Sequence, residues 1–165
     1  MSKPTTVAIN APAAELLLEL IDGPADPDEI WIIGAGSDSS LLGTLDRFSA
    51  EQASRAPALG RKTPASHAAH LLFSLELATR RLRGEKPPAD WDASWEPSTV
   101  NADDWARLRE QIREASNMLR QTIESRTAEW DPLSFKGIIA TVAHTAYHLG
   151  ALRQLMPSPH GAADA

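Results

Sequence analysis

Apolar residues recur at three- and four-residue steps in four separate stretches of the chain, and this spacing predicts four amphipathic helices. No stretch shows the alternation of apolar and polar residues that is typical of a half-buried strand. The pattern therefore predicts an all-α fold, most simply a four-helix bundle with short accessory helices. The predicted helices cover about 11–21, 63–83, a stretch that begins near Asn101, and a stretch that begins within 133–138 and ends before Pro157.

Capping residues support these helix boundaries. Thr63 is suited to the N-cap of the second helix, and Pro64 to its first helical position. Gly84 follows that helix and is expected to end it. Asn101 can cap the third helix. Ser49–Gln52 fits a capping box, which predicts a further brief helical turn.

The connections between the helices carry their own signals. A loop rich in Asp, Gly and Ser spans 24–40, and its short apolar run 30–33 could be an extended piece. The sequence 39–48 has apolar residues on one side and predicts a shorter helix. The long connection before the third helix contains Trp91 and Trp95. We expect this pair to anchor the connection onto the bundle, and the alternative is an aromatic wall over a pocket.

Composition narrows the functional classes. The 165 residues suit one domain, predicted as 1–156, followed by a disordered tail at 157–165. The formal net charge of −6 argues against nucleic acid and anionic membrane surfaces as partners, since both require a basic footprint. No apolar run approaches the roughly 20 residues of a membrane span. The chain has no cysteine, so thiolate metal sites and a cysteine nucleophile are excluded. We expect a cytoplasmic protein.

Four of the five histidines form two pairs in apolar helical segments. His144 and His148 are four residues apart, so they share one helical face with Cβ atoms roughly 5–6 Å apart. His67 and His70 are three residues apart in the second predicted helix. Packing of the two helices would bring the pairs together. Such an arrangement in a bundle core is typical of a metal site.

A catalytic zinc-type site needs three protein ligands and keeps one position for water or substrate. His144, His148 and one of His67 or His70 would supply that set. The competing interpretation is that the histidines are core or boundary residues with a packing role. Ser74 beside a histidine would also suit nucleophilic catalysis, but the sequence offers no third, orienting acid.

Four segments resemble the DinB-like superfamily of four-helix-bundle proteins. They are HAAHLLFSLELATRRLRG, DWDASW, DDWARLREQI and VAHTAYHLGALRQL, and together they span most of residues 63–156. The last segment is the most specific, with its H-x-x-x-H pair followed by Leu-Gly and a Gln near the end of the helix. In the second helix, the family pattern is a His ahead of Leu, about fourteen residues before a Gly.

The resemblance implies an up-down-down-up bundle, frequently a homodimer, with three histidines that bind a divalent metal such as Zn, Ni or Fe. Carried over to this sequence, the ligands would be His70, His144 and His148. His67 has no clear equivalent in the family pattern and is the alternative to His70. Characterised relatives include thiol-dependent S-transferases and a mycothiol-dependent isomerase, so a low-molecular-weight thiol is a candidate co-substrate.

Two functional hypotheses follow. The first is a metal-dependent transferase or hydrolase that acts on a small molecule. The second is a non-catalytic dimeric bundle, a stress, interaction or small-molecule-binding module whose histidines are structural.

Overall fold

A computed structural model describes residues 10–34, 36–127 and 129–156, and within these ranges all regular elements are helical. The predicted tail 157–165 lies outside the described residues. The α-helices are α1 (Asn10–Asp22), α2 (Leu41–Asp46), α3 (Ala50–Ala53), α4 (Pro64–Leu82), α5 (Ala102–Glu124) and α6 (Pro132–Leu155), with 3₁₀ turns at Ser37–Ser39 and Ala93–Trp95. The all-α prediction is confirmed.

The four long helices form an up-down-down-up bundle, as predicted. α5 and α6 each pack against both α1 and α4. Thr63, just before α4, donates a hydrogen bond to the Ser98 carbonyl, just before α5. The two helices therefore start at the same end of the bundle and run in parallel. α1 is antiparallel to α5, since Asn10 at its start bonds the Arg126 carbonyl beyond the end of α5. α6 is antiparallel to α4, as the histidine contacts described below show.

Side-chain caps fix the helix ends where the sequence predicted them. The Thr63 hydroxyl accepts from the Ser66 N–H, and the Asn101 side chain accepts from the Asp104 N–H. Ser49 and Gln52 form the predicted capping box. α6 starts earlier than its apolar pattern indicated, because Asp131 caps it and Pro132 occupies its first position.

The core lies along the bundle axis and contains mainly leucine and isoleucine. Each long helix contributes fully buried apolar side chains, and α2 adds more at one end of the bundle. Burial of each such side chain stabilises the fold by about 1.5–3 kcal/mol before chain entropy is counted. Representative members are Leu17, Leu45, Leu71, Ile112 and Leu152.

The loop after α1 is held by a buried carboxylate. Glu19 is 4% exposed, and its side chain accepts hydrogen bonds from the backbone N–H groups of Trp31, Ile32 and Ile33. Within the run 30–33, residues 31–33 form bends rather than a strand, and Ile30 has no regular structure. The backbone N–H groups of residues 31–33 therefore donate to the Glu19 side chain of α1, whereas those of a strand would donate to a neighbouring strand.

None of the helices in the described ranges is long and apolar enough to cross a membrane.

Candidate metal centre

The histidine pairs meet where α4 and α6 face each other, beside the 3₁₀ turn Ala93–Trp95. His67 contacts His148, and Ser74 contacts His144. The later residue on α4 thus lies beside the earlier residue on α6, which is the antiparallel arrangement. Antiparallel packing brings together two pairs that are far apart in sequence.

Three imidazoles converge through the same ring atom. Nε2 of His144 lies 3.2 Å from Nε2 of His70 and 3.0 Å from Nε2 of His148. His70, His144 and His148 form a group of side chains that could hold a metal ion, with ligand atoms all within 4.8 Å of one another. His70 and His148 are buried, while His144 is partly exposed. The group therefore has one open side, at His144.

The spacing suits a small transition-metal ion. Zinc bonds histidine nitrogen at about 2.0–2.1 Å in tetrahedral sites, which places ligand nitrogens about 3.3 Å apart. The distances of 3.0 and 3.2 Å in the cluster are close to that value. Three imidazole ligands without a fourth protein ligand leave one position for water or substrate. The residues present thus fit a divalent metal with imidazole ligands.

The outward-facing nitrogens of the three rings are all engaged. Nδ1 of His70 lies 2.7 Å from the Ser94 hydroxyl, and Nδ1 of His144 lies 3.0 Å from the Ser74 hydroxyl. The Ser94 hydroxyl donates its own hydrogen to the Trp91 carbonyl, so it accepts from Nδ1–H of His70. This bond leaves the lone pair of His70 on Nε2, directed into the cluster. Metal-binding histidines are commonly oriented by such outer hydrogen bonds.

His67 lies behind the cluster. Its Nδ1 atom is 2.9 Å from Nδ1 of His148, on the side of that ring opposite the Nε2 atom. His67 is half-buried, whereas His148 is 1% exposed. The structure therefore brings His70 into the group of three and places His67 as the hydrogen-bond partner of His148.

Comparison with models of protein families gives a match to the DinB superfamily over residues 37–152. The matched stretch is well over half of the chain and includes all four clustered histidines. The chain belongs to the DinB superfamily. Searches among curated proteins and among solved structures found no match.

Aromatic rings cover the cluster of this DinB-superfamily protein. The Trp95 ring stacks on the His70 ring, with centroids 4.0 Å apart and an interplanar angle of 13°. Trp91 meets His144 edge-to-face at 6.5 Å. Both tryptophans therefore contact histidines of the cluster. The sequence offered an aromatic wall over a pocket as the alternative role of Trp91 and Trp95, and it gave no role to Ser94, since the connection that carries them has no periodic pattern to place it. The aromatic pair within a polar connection was the available signal.

Burial keeps the histidines neutral. Desolvation is the larger cause and the nearby His144 the second; together they lower the pKa of His70 to about 4 and that of His148 to about 3. Desolvation also lowers the pKa of His67 and His144. The neutral imidazole is the form that binds a metal, so burial prepares the rings for that role.

A cleft between α4 and α6 leads away from the open side of the cluster. Its volume is about 960 Å³. We call the end next to the histidine cluster, lined by Ser74 and His144, the inner end, and the end away from the cluster the outer end. Trp91 and Leu77 line the wall of the cleft. The DinB-superfamily chain thus combines three convergent imidazoles with a cleft large enough for a small molecule.

Proposed function

We propose that this protein binds a divalent metal ion through the Nε2 atoms of His70, His144 and His148, and that it is a metal-dependent enzyme acting on a small molecule. The observation that carries the proposal is that Nε2 of His144 lies 3.2 Å from Nε2 of His70 and 3.0 Å from Nε2 of His148, next to a cleft. Imidazole ligands suit Zn, Ni and Fe alike, so all three are candidates.

The protein's residues have distinct tasks in this proposal. Ser94, Ser74 and His67 orient the three ligand rings through their Nδ1 atoms. Trp95 stacks on His70 and excludes water from that face of the cluster. When bound, the ion supplies Lewis acidity, which lowers the pKa of a coordinated water or thiol or polarises an electrophile.

Two reaction classes fit these tasks, thiol S-transfer and hydrolysis. In S-transfer, a low-molecular-weight thiol would approach as co-substrate through the cleft, since the chain has no cysteine of its own. In hydrolysis, water would occupy the same position. Both classes use the open side at His144, and both place the small-molecule substrate in the cleft between α4 and α6.

Metal content is the direct test. We expect elemental analysis of the purified protein to find about one metal ion per chain, and added Zn²⁺ to raise the melting temperature of the EDTA-treated protein, since a ligand that binds only the folded state stabilises it. His148→Ala should lose the metal and remain helical by circular dichroism. His160→Ala, which removes a histidine outside the described residues, is the matched control and should keep the metal.

The opposite result identifies the alternative function. Protein that holds no stoichiometric metal, and whose melting temperature responds to neither Zn²⁺ nor Ni²⁺, would refute the proposed metal site. The non-catalytic bundle predicts that outcome together with indifference to EDTA. In that case the buried, neutral histidines would serve packing alone.

We also propose that the protein is a homodimer and is cytoplasmic. The proposed dimer contact is the outer face of α6, formed by Ile139, Ala143 and Tyr147 at four-residue steps. Ile139 is 53% exposed and Tyr147 is 69% exposed, although both are large apolar side chains. The opposite side of α6 is buried in the bundle through Leu149 and other residues. A helix that is apolar on both sides is usually covered on both sides.

A further inference from the structure

The outer end of the cleft between α4 and α6 is lined by three basic residues, Arg81, Lys86 and Lys136. Among the residues that the structure describes, none of the three has an ion pair or a side-chain hydrogen bond. The three cations belong to three separate segments, the end of α4, the connection after it and the start of α6. The fold thus collects unpaired positive charge at one place in a protein whose formal net charge is −6.

Arginines elsewhere in the described structure are mostly paired. Most of them form an ion pair with an acidic residue, namely Arg47, Arg55, Arg80, Arg107, Arg109, Arg113 and Arg120. Arg81 therefore differs from most arginines of the described structure, and what sets the three cations apart is that they line one cleft.

The acidic residues that line the cleft are already engaged. Glu85 pairs with Arg80 at 2.7 Å. The Ser134 hydroxyl donates to the Asp131 carboxylate, and the N–H groups of Ser134 and Leu133 also donate to it at the start of α6; these bonds lower the pKa of the Asp131 carboxyl. Arg80 offsets the charge of Glu85, whereas the Asp131 carboxylate stays ionised and offsets one of the three cations. Two positive charges remain in excess at the outer end, which favours an anion.

The positions of the cations fix their distance from the histidine cluster. Arg81 lies two helical turns beyond Ser74 on α4, and Lys136 lies just over two turns before His144 on α6. Because the helices are antiparallel, both displacements point the same way along the cleft. At 1.5 Å per residue, the charged end is on the order of 10 Å from the inner end.

The walls between these two ends are mainly apolar. Leu77, Leu82 and Trp91 line the cleft on the side of α4 and the following connection, and Leu133 and Ala140 line it on the side of α6. Leu133 is 78% exposed, so its side chain is available for contact with a ligand. An occupant with an apolar body would gain from covering these residues.

We propose that the substrate is a small amphipathic organic anion. Its reactive group lies at the histidine cluster, its apolar body covers the wall of the cleft, and its carboxylate, sulfonate or phosphate group lies among Arg81, Lys86 and Lys136. The placement of the reactive end rests on the proposed metal site. The charged end rests on the unpaired cations alone.

The test compares two ligands of equal chain length on the zinc-loaded protein by isothermal titration calorimetry. The eight-carbon monohydroxamate of suberic acid carries a hydroxamate for the metal and a carboxylate at the other end, whereas octanohydroxamate ends in a methyl group. Two exposed charge pairs of ordinary strength should make the carboxylate ligand about three- to tenfold tighter. The difference should shrink at high ionic strength.

A matched pair of variants assigns the effect to the cleft. Arg81→Gln combined with Lys136→Gln should reduce the preference for the carboxylate ligand and leave the affinity for octanohydroxamate unchanged. Arg153→Gln removes a positive charge from the exposed side of α6 outside the cleft and should leave the preference intact. These side chains are exposed, so the variants are expected to fold.

The outcomes separate this inference from the proposed metal site. Equal affinity for the two ligands on protein that holds zinc would overturn the anion end and leave the metal site standing. A preference that survives the double variant would do the same. Protein that holds no zinc and binds neither hydroxamate would overturn the metal site and, with it, the placement of the substrate's reactive end.

Discussion

Removing the Ser94 hydroxyl is expected to weaken metal binding as well as folding. Ser94 is 6% exposed and lies on the 3₁₀ turn next to the cluster. Its hydroxyl accepts from Nδ1–H of His70 at 2.7 Å and donates to the Trp91 carbonyl at 2.6 Å. Ser94→Ala deletes both bonds without adding volume.

The expected size of the effect follows from these two bonds. A buried donor left without a partner costs about 1–3 kcal/mol, and His70 loses the acceptor for its Nδ1–H group. We therefore expect the free energy of unfolding of the metal-free protein to fall by about 2 kcal/mol. Loss of a hydrogen bond that orients a metal ligand typically weakens metal affinity 10- to 100-fold, and we expect a loss in that range.

Urea denaturation of the metal-free protein and competitive titration with a zinc chelator measure the two quantities. Ser116→Ala is the matched control, because Ser116 is also buried but its hydroxyl bonds only the Arg113 carbonyl of its own helix. It should leave the zinc affinity unchanged. If Ser94→Ala lowers stability and binds zinc as tightly as the wild type, Ser94 holds the Trp91 turn in place and does not orient a ligand.

Three further predictions concern the buried carboxylate of Glu19, the protonation of the histidine cluster and the outer face of α6. Glu19→Ala should lower the free energy of unfolding, measured by urea denaturation, by about 3 kcal/mol, because three backbone N–H groups lose a charged acceptor. Glu15 is exposed, so Glu15→Ala should change this free energy little, and equal effects of the two variants would contradict the role of Glu19. The folded-state pKa values of about 4 for His70 and about 3 for His148 lie below the ordinary histidine value of 6.5, so the unfolded state takes up protons first. The stability of the metal-free protein should therefore be constant above about pH 7 and fall as pH drops from 6.5 to 5, by about 1.5 kcal/mol per histidine. A flat profile in urea denaturation would show that these rings have the same pKa in the folded and unfolded states. Tyr147→Glu should convert a dimer to a monomer in light scattering, and a monomeric wild type would remove the proposed interface.

Local patterns in the sequence were enough to predict the helices. The caps at Thr63 and Asn101 and the capping box at Ser49 act within one helical turn, so their residues are neighbours in the sequence. The start of α6 was placed too late because the prediction followed the apolar pattern. The Asp131 cap that starts the helix lies just before that pattern.

The candidate site could be predicted only in part, because most of it depends on tertiary packing. The four-residue spacing of His144 and His148 places them on one face of any helix. The choice between His67 and His70 depends on how α4 is rotated against α6, which the spacing of three residues leaves open. The contacts of Ser94 and Trp95 depend on the path of a long connection without periodicity.

The metal-free cluster is electrostatically unfavourable, and this supports a binding role over a packing role. Nε2 of His70 carries a lone pair, since its Nδ1–H donates to Ser94. Nε2 of His144 lies within 3.2 Å of that atom and 3.0 Å from Nε2 of His148. If only one of the three Nε2 atoms carries a hydrogen, at least one of the other two is left without a good hydrogen-bond donor. Protonation of a further Nε2 atom would remove this deficit, but burial disfavours the charged imidazole. Apolar side chains would fill the same space without this penalty. A divalent cation satisfies all three nitrogens at once, so the arrangement is favourable as a metal site and unfavourable as packing alone.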